Sequence, residues 1–263
     1  MKRSLLPLLT LFVFTNCFGQ QQFQLAPPVL KYNSAFFITS AIATLQFKQA
    51  GTQIFYTLNG KEPTRKSTVY QSPVLIKKSL TTLKAKVFGA RFLPSETVQV
   101  TFIKDGLKIK SIEQSMPDEK YPGNGARTLF DNKGGIADMH SRDFFGYQQD
   151  SVEIKITLEK KQKVTSVLLD FLQDNGSRIF LPQNIKVYYF NEAKNSYGLL
   201  ATKEINEDKI VNGSSTTFEL IKAGKSVETD NIKIIIVPLQ SIPANHAAKG
   251  KQSWLFIDEV KIY

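Results

Sequence analysis

The amino-acid sequence predicts an all-β protein built as two β-sandwiches in series. Short runs of β-branched and aromatic residues alternate with polar residues at a period of two, and turn-forming residues recur at intervals of about eight to twelve residues. No segment has the sustained spacing of an amphipathic helix. With 263 residues, the chain can form one large β domain or two smaller ones.

The first 19 residues have the layout of a secretory signal peptide. Lys2 and Arg3 precede an apolar run over residues 5–14, and the small residues Cys17 and Gly19 lie just before Gln20. We therefore expect cleavage after Gly19 and a secreted, periplasmic or cell-surface protein.

Lipidation of Cys17 is the alternative fate of this leader. It is less consistent with the sequence, because Phe14 and Asn16 stand where lipoprotein signals favour Leu and Gly or Ala. Cleavage after Gly19 would remove the single cysteine, so no disulfide is expected. No later run approaches the roughly 20 apolar residues of a membrane-spanning helix.

The chain is strongly basic, and its charge favours anionic partners. The 34 Lys and Arg against 23 Asp and Glu give +11, which becomes +9 without Lys2 and Arg3 because the leader carries no acid. The lysines are scattered along strands, and the sequence has no Arg-rich helix, RNP motif or zinc finger. We therefore expect no nucleic-acid partner.

Residues 25–104 are predicted to form the first sandwich. Its most informative stretch is the run IFYTLNGKEPT at residues 54–64, in which a strand leads into an Asn-Gly turn and a loop stiffened by proline. Further strands are expected near residues 83–88 and 96–103. At about 80 residues the unit has the size of a seven-stranded fibronectin- or immunoglobulin-like sandwich. The run resembles the hallmark of the C-terminal domain of chitobiases and β-hexosaminidases, a resemblance that implies a non-catalytic domain of glycan enzymes.

Residues 107–263 are predicted to form the second sandwich, after a seam at Asp105 and Gly106. Long polar loops separate its strands, a pattern that suggests a jelly roll with loops gathered at its two ends. The strands are expected at residues 151–158, 164–172, 185–190, 216–220, 232–237 and 254–262.

Several segments of this unit resemble a discoidin-like domain, also called a coagulation-factor type C or galactose-binding-like domain. They are TLFD at residues 128–131, FFGYQQDSVEIKI at 144–156, SRIFLP at 177–182 and SWLFIDEV at 253–260. The resemblance implies carbohydrate binding by loops at one end of the sandwich. Two departures are that Phe144 stands where the family usually has tryptophan, and that Asn132 stands where it has glycine.

Catalysis is not expected. Glycoside hydrolysis needs two carboxyl groups on either side of the scissile bond. The acidic pairs at residues 118–119 and 258–259 are sequence neighbours, whose side chains should point to opposite faces of a strand. With His140 and His246 as the two histidines, a catalytic triad or a multi-histidine metal site is also hard to assemble.

The candidate ligand-binding residues lie in three loops, at residues 140–147, 175–180 and 243–254. A sugar site needs an aromatic face and fixed polar groups. Arg178 offers a rigid fork of donors, and His246 could hydrogen-bond an axial hydroxyl. The aromatic residues of these loops could instead belong to the core. The full set is Arg178, His246, Asn175, Phe144, Tyr147 and Trp254.

The discoidin resemblance also implies a structural Ca²⁺ ion. Asp131 and Glu259 match the family's loop aspartate and last-strand glutamate. Lys133 adds an unhelpful positive charge to the loop, and the alternative is that Asp131 stabilises a turn while Glu259 is an exposed strand residue.

Together these features predict an exported, non-catalytic protein that binds glycan termini of the Gal, GalNAc or GlcNAc type, with an anionic glycan as one option. The alternative is a cell-surface or envelope protein that binds another protein, or an accessory subunit of a partner glycoside hydrolase.

Overall fold

The computed structural model describes residues 23–206 and 210–263. The expected signal peptide and Cys17 lie outside these residues. Strands dominate the described chain and its helical elements are three short 3₁₀ turns, which confirms the all-β prediction. No helix in this part of the chain has the length and apolar character needed to cross a membrane.

The N-terminal sandwich consists of two sheets. One has the strand order β1-β3-β6 and the other β2-β8-β7-β4-β5. Side chains from both sheets fill a shared core, in which Ala43, Leu83 and Phe102 are fully buried. The strands are β1 (Val29–Tyr32), β2 (Phe36–Phe37), β3 (Ala41–Gln46), β4 (Thr52–Thr57), β5 (Thr68–Val69), β6 (Val74–Ile76), β7 (Thr81–Gly89) and β8 (Val98–Lys104).

The polar residues of the 54–64 run hold a loop against the sheet. Gly60 adopts the left-handed φ of 73° that the predicted Asn-Gly turn requires, and its N–H donates to the Thr82 carbonyl at 3.1 Å. The Glu62 carboxylate accepts hydrogen bonds from Lys84 Nζ at 2.6 Å and from Thr97 Oγ1 at 2.7 Å. Gly60 and Glu62 of this run therefore have structural roles within the sandwich.

The C-terminal unit is a jelly-roll β-sandwich formed by one continuous sheet that folds over itself. Its strands are β9 (Ile109–Gln114), β10 (Phe145–Tyr147), β11 (Val152–Gln173), β12 (Asn184–Asn191), β13 (Ser196–Glu204), β14 (Ser215–Val237) and β15 (Leu255–Ile262), with 3₁₀ turns at Thr128–Phe130, Asn175–Ser177 and Glu192–Lys194.

Two long strands, β11 and β14, run through both layers of this sandwich. The pairing of β11 with β14 shifts register between Thr157 and Gln162. Before this shift β11 also pairs with β9, and after it β11 pairs with β15. The two strands predicted at residues 151–158 and 164–172 are thus one bent strand. The core between the layers includes Ile154, Phe171 and Ile234, all fully buried.

The two sandwiches pack against each other beside the predicted seam. Phe36 and Ile103 form a buried cluster with Leu168, and the Phe36 ring meets the Phe218 ring edge-on at 6.1 Å. Gly106 lies so close to β15 that a Cβ atom there would stand 2.3 Å from the Ile262 carbonyl oxygen. The seam is therefore a packed junction.

Candidate functional site

Two loops meet at one end of the C-terminal sandwich. In the first, the Asp174 carboxylate accepts hydrogen bonds from the Ser177 N–H at 3.2 Å and the Ser177 hydroxyl at 2.8 Å. This cap closes the 3₁₀ turn of residues 175–177. Arg178 follows with a left-handed φ of 65°, and its N–H donates to the Asn175 carbonyl at 3.0 Å. The cap and turn fix the backbone from which Arg178 projects.

The second loop is joined to the first at Trp254. The Trp254 N–H donates to the Arg178 carbonyl at 2.8 Å, and the Phe180 N–H donates to the Trp254 carbonyl at 3.2 Å. Two predicted site residues, Arg178 and Trp254, are thus brought to adjacent backbone positions. Both are partly exposed. Within residues 23–206 and 210–263, the Arg178 guanidinium has neither a hydrogen bond nor an ion pair, so its donors are available to a ligand.

Trp254 belongs to an aromatic group that continues into the core. Its ring meets Tyr121 edge-on at 5.2 Å, and Tyr121 in turn meets Phe256 at 4.7 Å. Phe256 is buried, whereas Tyr121 and Trp254 are partly exposed. Tyr121 was not predicted, because it lies in an irregular stretch between β9 and β10 where no periodic pattern indicates its position.

Asn175 and His246 support the loops. Asn175 is fully buried; its side-chain amide donates to the Ile179 carbonyl at 3.3 Å, and its side-chain oxygen accepts the Val211 N–H at 2.6 Å. His246 Nδ1 accepts the Ala248 N–H at 2.9 Å, so Nε2 carries the proton and donates to the Asn175 carbonyl, also at 2.9 Å. Both polar side chains are used internally, which corrects their predicted role as direct ligand contacts.

Phe144 and Tyr147 are also corrected from ligand contacts to core residues. Phe144 is 3% exposed and packs on Leu172 and Phe256, while Tyr147 is 0% exposed on β10. A sugar can stack only on a ring face that solvent reaches. The sequence motif is equally consistent with an inward or an outward Tyr147 side chain. The strand β10 places it inward, which explains why it was wrongly predicted to contact a ligand.

Two lysines add positive charge to this end. Lys249 and Lys251 are exposed in the same loop as His246 and Trp254. Together with Arg178 they give the loop end a positive character, which would favour a ligand carrying carboxylate or sulfate groups. We use the name loop-end site for Arg178, Trp254, Tyr121 and these two lysines.

A second group of polar residues lies around residues 131–135. Asp258 Oδ2 accepts the Gly135 N–H at 2.6 Å, and Glu259 Oε1 accepts the Lys133 N–H at 2.9 Å. The expectation that these neighbouring side chains point to opposite faces is therefore wrong. A register shift between Leu169 and Phe171 forms a β-bulge in the pairing of β11 with β15, and a bulge lets successive side chains reach the same side.

The carboxyl groups of Asp258, Glu259 and Asp170, which lies on the paired strand β11, are buried. Burial raises the pKa of Asp170 well above its usual range, and the Glu259 charge adds to the effect. Burial likewise raises the pKa of Asp258 to about 9, with the charges of Asp170 and Glu259 adding to the shift. Burial raises the pKa of Glu259 to about 7 against the opposing effect of the Lys261 ammonium. Burial therefore favours the protonated forms of Asp170 and Asp258 in the folded protein.

The geometry around Asp131 and Glu259 does not fit a Ca²⁺ site. The two residues are neighbours, as expected, because Asp131 Oδ1 and Glu259 Oε1 each accept the Lys133 N–H at 2.9 Å. Calcium, however, needs six to eight oxygen ligands pointing inward. Here N–H donors face the carboxylates, and among the described residues no three His, Cys, Asp or Glu side chains are grouped to hold a metal.

The solved structures to which this chain is similar are remote. A family 32 carbohydrate-binding module from Streptococcus pneumoniae EndoD is 17% identical, with 60% of this chain and 96% of that chain covered at a TM-score of 0.38. A chitosan-binding module from a Paenibacillus chitosanase/glucanase is 12% identical at the same coverage and TM-score. At these TM-scores the likeness does not indicate a ligand.

A larger enzyme gives a partial match. The Ruminococcus gnavus GH29 fucosidase in complex with fucose is 15% identical over 58% of this chain, with a TM-score of 0.34. This chain spans only 25% of the length of that fucosidase. No curated protein sequence matches the chain significantly. Residues 32–100 match the family model of the chitobiase/beta-hexosaminidase C-terminal domain, as the run at residues 54–64 predicts.

Proposed function

We propose that the protein is an exported, non-catalytic carbohydrate-binding protein whose ligand contacts the loop-end site. The observation that carries this proposal is the Arg178 guanidinium, which has no protein partner among the described residues, on a residue whose carbonyl accepts a hydrogen bond from the N–H of the partly exposed Trp254. Arg178 supplies hydrogen-bond donors and Trp254 supplies an aromatic surface, which are the two kinds of group that a pyranose site uses.

The support beneath these two residues favours binding over a merely solvated surface. Asn175 and His246 use their polar atoms to tie the two loops together, so the backbone at Arg178 is fixed before a ligand arrives. A site that is already ordered loses less conformational entropy on binding. The ordered loops therefore favour a recognition site at Arg178.

The nature of the sugar follows from the charges of the site. Arg178, Lys249 and Lys251 would complement a uronic or sulfated residue within a glycan of Gal, GalNAc or GlcNAc type. The N-terminal sandwich serves as a spacer or docking domain, consistent with the match of residues 32–100 to a domain that accompanies glycan enzymes.

No reaction is assigned to the buried acids. Asp170, Asp258 and Glu259 are each exposed by 2% or less. A general acid and base must reach a glycosidic oxygen and a water molecule, and carboxyl groups at this depth do not. The proposal is thus one of recognition alone.

One observation favours protein binding as a second function. Ile42 and Leu75 are cross-strand partners of β3 and β6, and they are exposed by 56% and 52%. Adjacent exposed aliphatic side chains on a sheet are typical of a docking face. This face could bind a partner glycoside hydrolase while the loop-end site binds glycan.

A glycan array probed with the full mature chain tests the proposal. Saturable binding to a defined glycan class is the expected result, and loss of that signal in Arg178→Ala is its control. An array without binding, together with capture of a hydrolase that Ile42→Lys abolishes, would replace carbohydrate recognition by the protein-binding function.

A further inference from the structure

A buried lysine stands beside the carboxylate that was expected to bind calcium. The Lys261 side chain is 4% exposed, and its Nζ atom lies 2.8 Å from Glu259 Oε2. The same ammonium lies 3.4 Å from Asp105 Oδ1 and 5.7 Å from the centre of the Phe36 ring. A buried ammonium needs such partners, because removing its charge from water is costly.

The partners of Lys261 come from different parts of the chain. Glu259 belongs to β15 of the C-terminal sandwich, Asp105 to the seam, and Phe36 to β2 of the N-terminal sandwich. The loop beneath them also touches both units, since Gly134 lies against the Phe36 ring so closely that a Cβ atom would be 2.5 Å from it. The ammonium therefore sits where the two sandwiches meet.

Backbone N–H groups at this place also donate to the carboxyl groups. The Lys133 and Gly135 N–H groups donate to Glu259 and Asp258. These donors and the ammonium stabilise negative charge, which is the task that a cation would perform for a carboxylate cluster.

We propose that Lys261 is the resident cation of this site. Its ammonium stands in for a bound Ca²⁺ at Glu259 and, by reaching Asp105 and Phe36, clamps the N-terminal sandwich onto the C-terminal one. The stability of the chain and the docking of its two sandwiches are then independent of calcium and dependent on Lys261.

The junction around the clamp supports this assignment. Tyr263 Oη donates to the Lys104 carbonyl at 2.6 Å and lies 2.8 Å from Ser79 Oγ. The Leu107 N–H donates to the Ile262 carbonyl at 2.7 Å. The two residues that follow Lys261 thus contact the seam and the first sandwich. Loss of the ammonium would therefore loosen a contact between the two units.

Thermal unfolding of the full chain in EDTA and in CaCl₂ tests the first half of the proposal. We expect the same Tm in both solutions. Lys261→Met, which keeps the length of the side chain, should lower the Tm by roughly 6–20 °C, because removing one member of a buried ion pair leaves the other uncompensated. Lys186→Met, at an exposed position of β12, is the matched control and should leave the Tm nearly unchanged.

A double-mutant cycle between Lys261 and Asp105 tests the clamp. Asp105→Asn is a mild change at a side chain that is 19% exposed, so it reports on the contact even where Lys261→Met fails to fold. For that case, Lys261→Gln, which removes the charge and keeps a polar group, replaces Lys261→Met in the cycle. We expect the two changes to be non-additive in Tm, and Asp105→Asn to speed proteolysis at the seam.

Two results would overturn the proposal. One is a rise in the Tm of the unmodified chain with CaCl₂ that Asp131→Ala removes, since a metal and not Lys261 would then be the cation. The other is additivity of the changes at Lys261 and Asp105, since the ammonium would then not connect the two sandwiches.

Discussion

Replacing Asp170 by Asn should change how stability depends on pH. Asp170 is 1% exposed, and neither of its carboxyl oxygens has a hydrogen-bond partner among the described residues. Burial raises its pKa well above the usual range. Over a range of pH above about 3.9, the ordinary pKa of an aspartate, the folded protein therefore keeps a proton on Asp170 that the unfolded chain has released.

The sign and size of the effect follow from this difference in bound protons. Where the folded state holds one more proton than the unfolded state, the free energy of unfolding falls as pH rises, by about 1.4 kcal/mol per pH unit at most. Asp258, with its pKa raised to about 9, contributes a second such slope between about pH 4 and pH 9. The unmodified protein should thus be more stable at pH 5 than at pH 8.

Asn has the shape of the protonated acid but cannot ionise, so Asp170→Asn should reduce this slope by up to about 1.4 kcal/mol per pH unit. Urea unfolding at four values between pH 5 and pH 8 measures it, provided the m-value stays constant. Asp150→Asn, at an exposed position, is the control and should keep the original slope. An Asp170→Asn protein with the unmodified slope would refute the argument that Asp170 is neutral in the folded state.

Three further outcomes are expected. Tyr147→Phe should be neutral or stabilising in urea unfolding, because it removes a buried hydroxyl that has no partner in the described chain; a loss above about 1 kcal/mol would reveal a partner. Residues 107–263 expressed alone should unfold cooperatively but at a lower Tm than in the full chain, because Phe218 and Leu168 lose their cover; an unfolded fragment would mean that the two sandwiches share one core. Mass spectrometry of exported protein should find Gln20 at the N-terminus, and a diacylglyceryl group on Cys17 would contradict cleavage after Gly19.

Strand periodicity made most of the fold predictable. The alternation in residues 81–89 and the Asn-Gly turn at residues 59–60 are local signals, and both appear where they were predicted. The continuous strands β11 and β14 were each predicted as two strands, because polar residues at the bends resemble breaks. Whether a chain bends or ends there depends on pairing with distant strands, which a local pattern does not contain.

The residues of the proposed site were only partly predictable from the sequence. Arg178 and Trp254 were predicted, and the structure brings them together. Phe144, Tyr147, Asn175 and His246 lie in the expected stretches of the chain, but their side chains pack or hydrogen-bond within the protein. The direction of such a side chain is set by packing, which a local pattern does not contain. Lys261 gave no signal, since a lysine in a strand is usually solvated, and its partners are remote in sequence.

The affinity of the mature protein for its array-defined glycan, measured by calorimetry, tests the central claim most directly. Arg178→Ala should weaken binding by roughly ten- to a hundredfold, because a hydrogen bond from a charged donor contributes about 1.5 to 3 kcal/mol. Trp254→Ala should also weaken it, and Arg91→Ala, at an exposed position of the N-terminal sandwich, should not. A folded protein carrying both Arg178→Ala and Trp254→Ala that binds the glycan as tightly as the unmodified chain would contradict the assignment of the loop-end site.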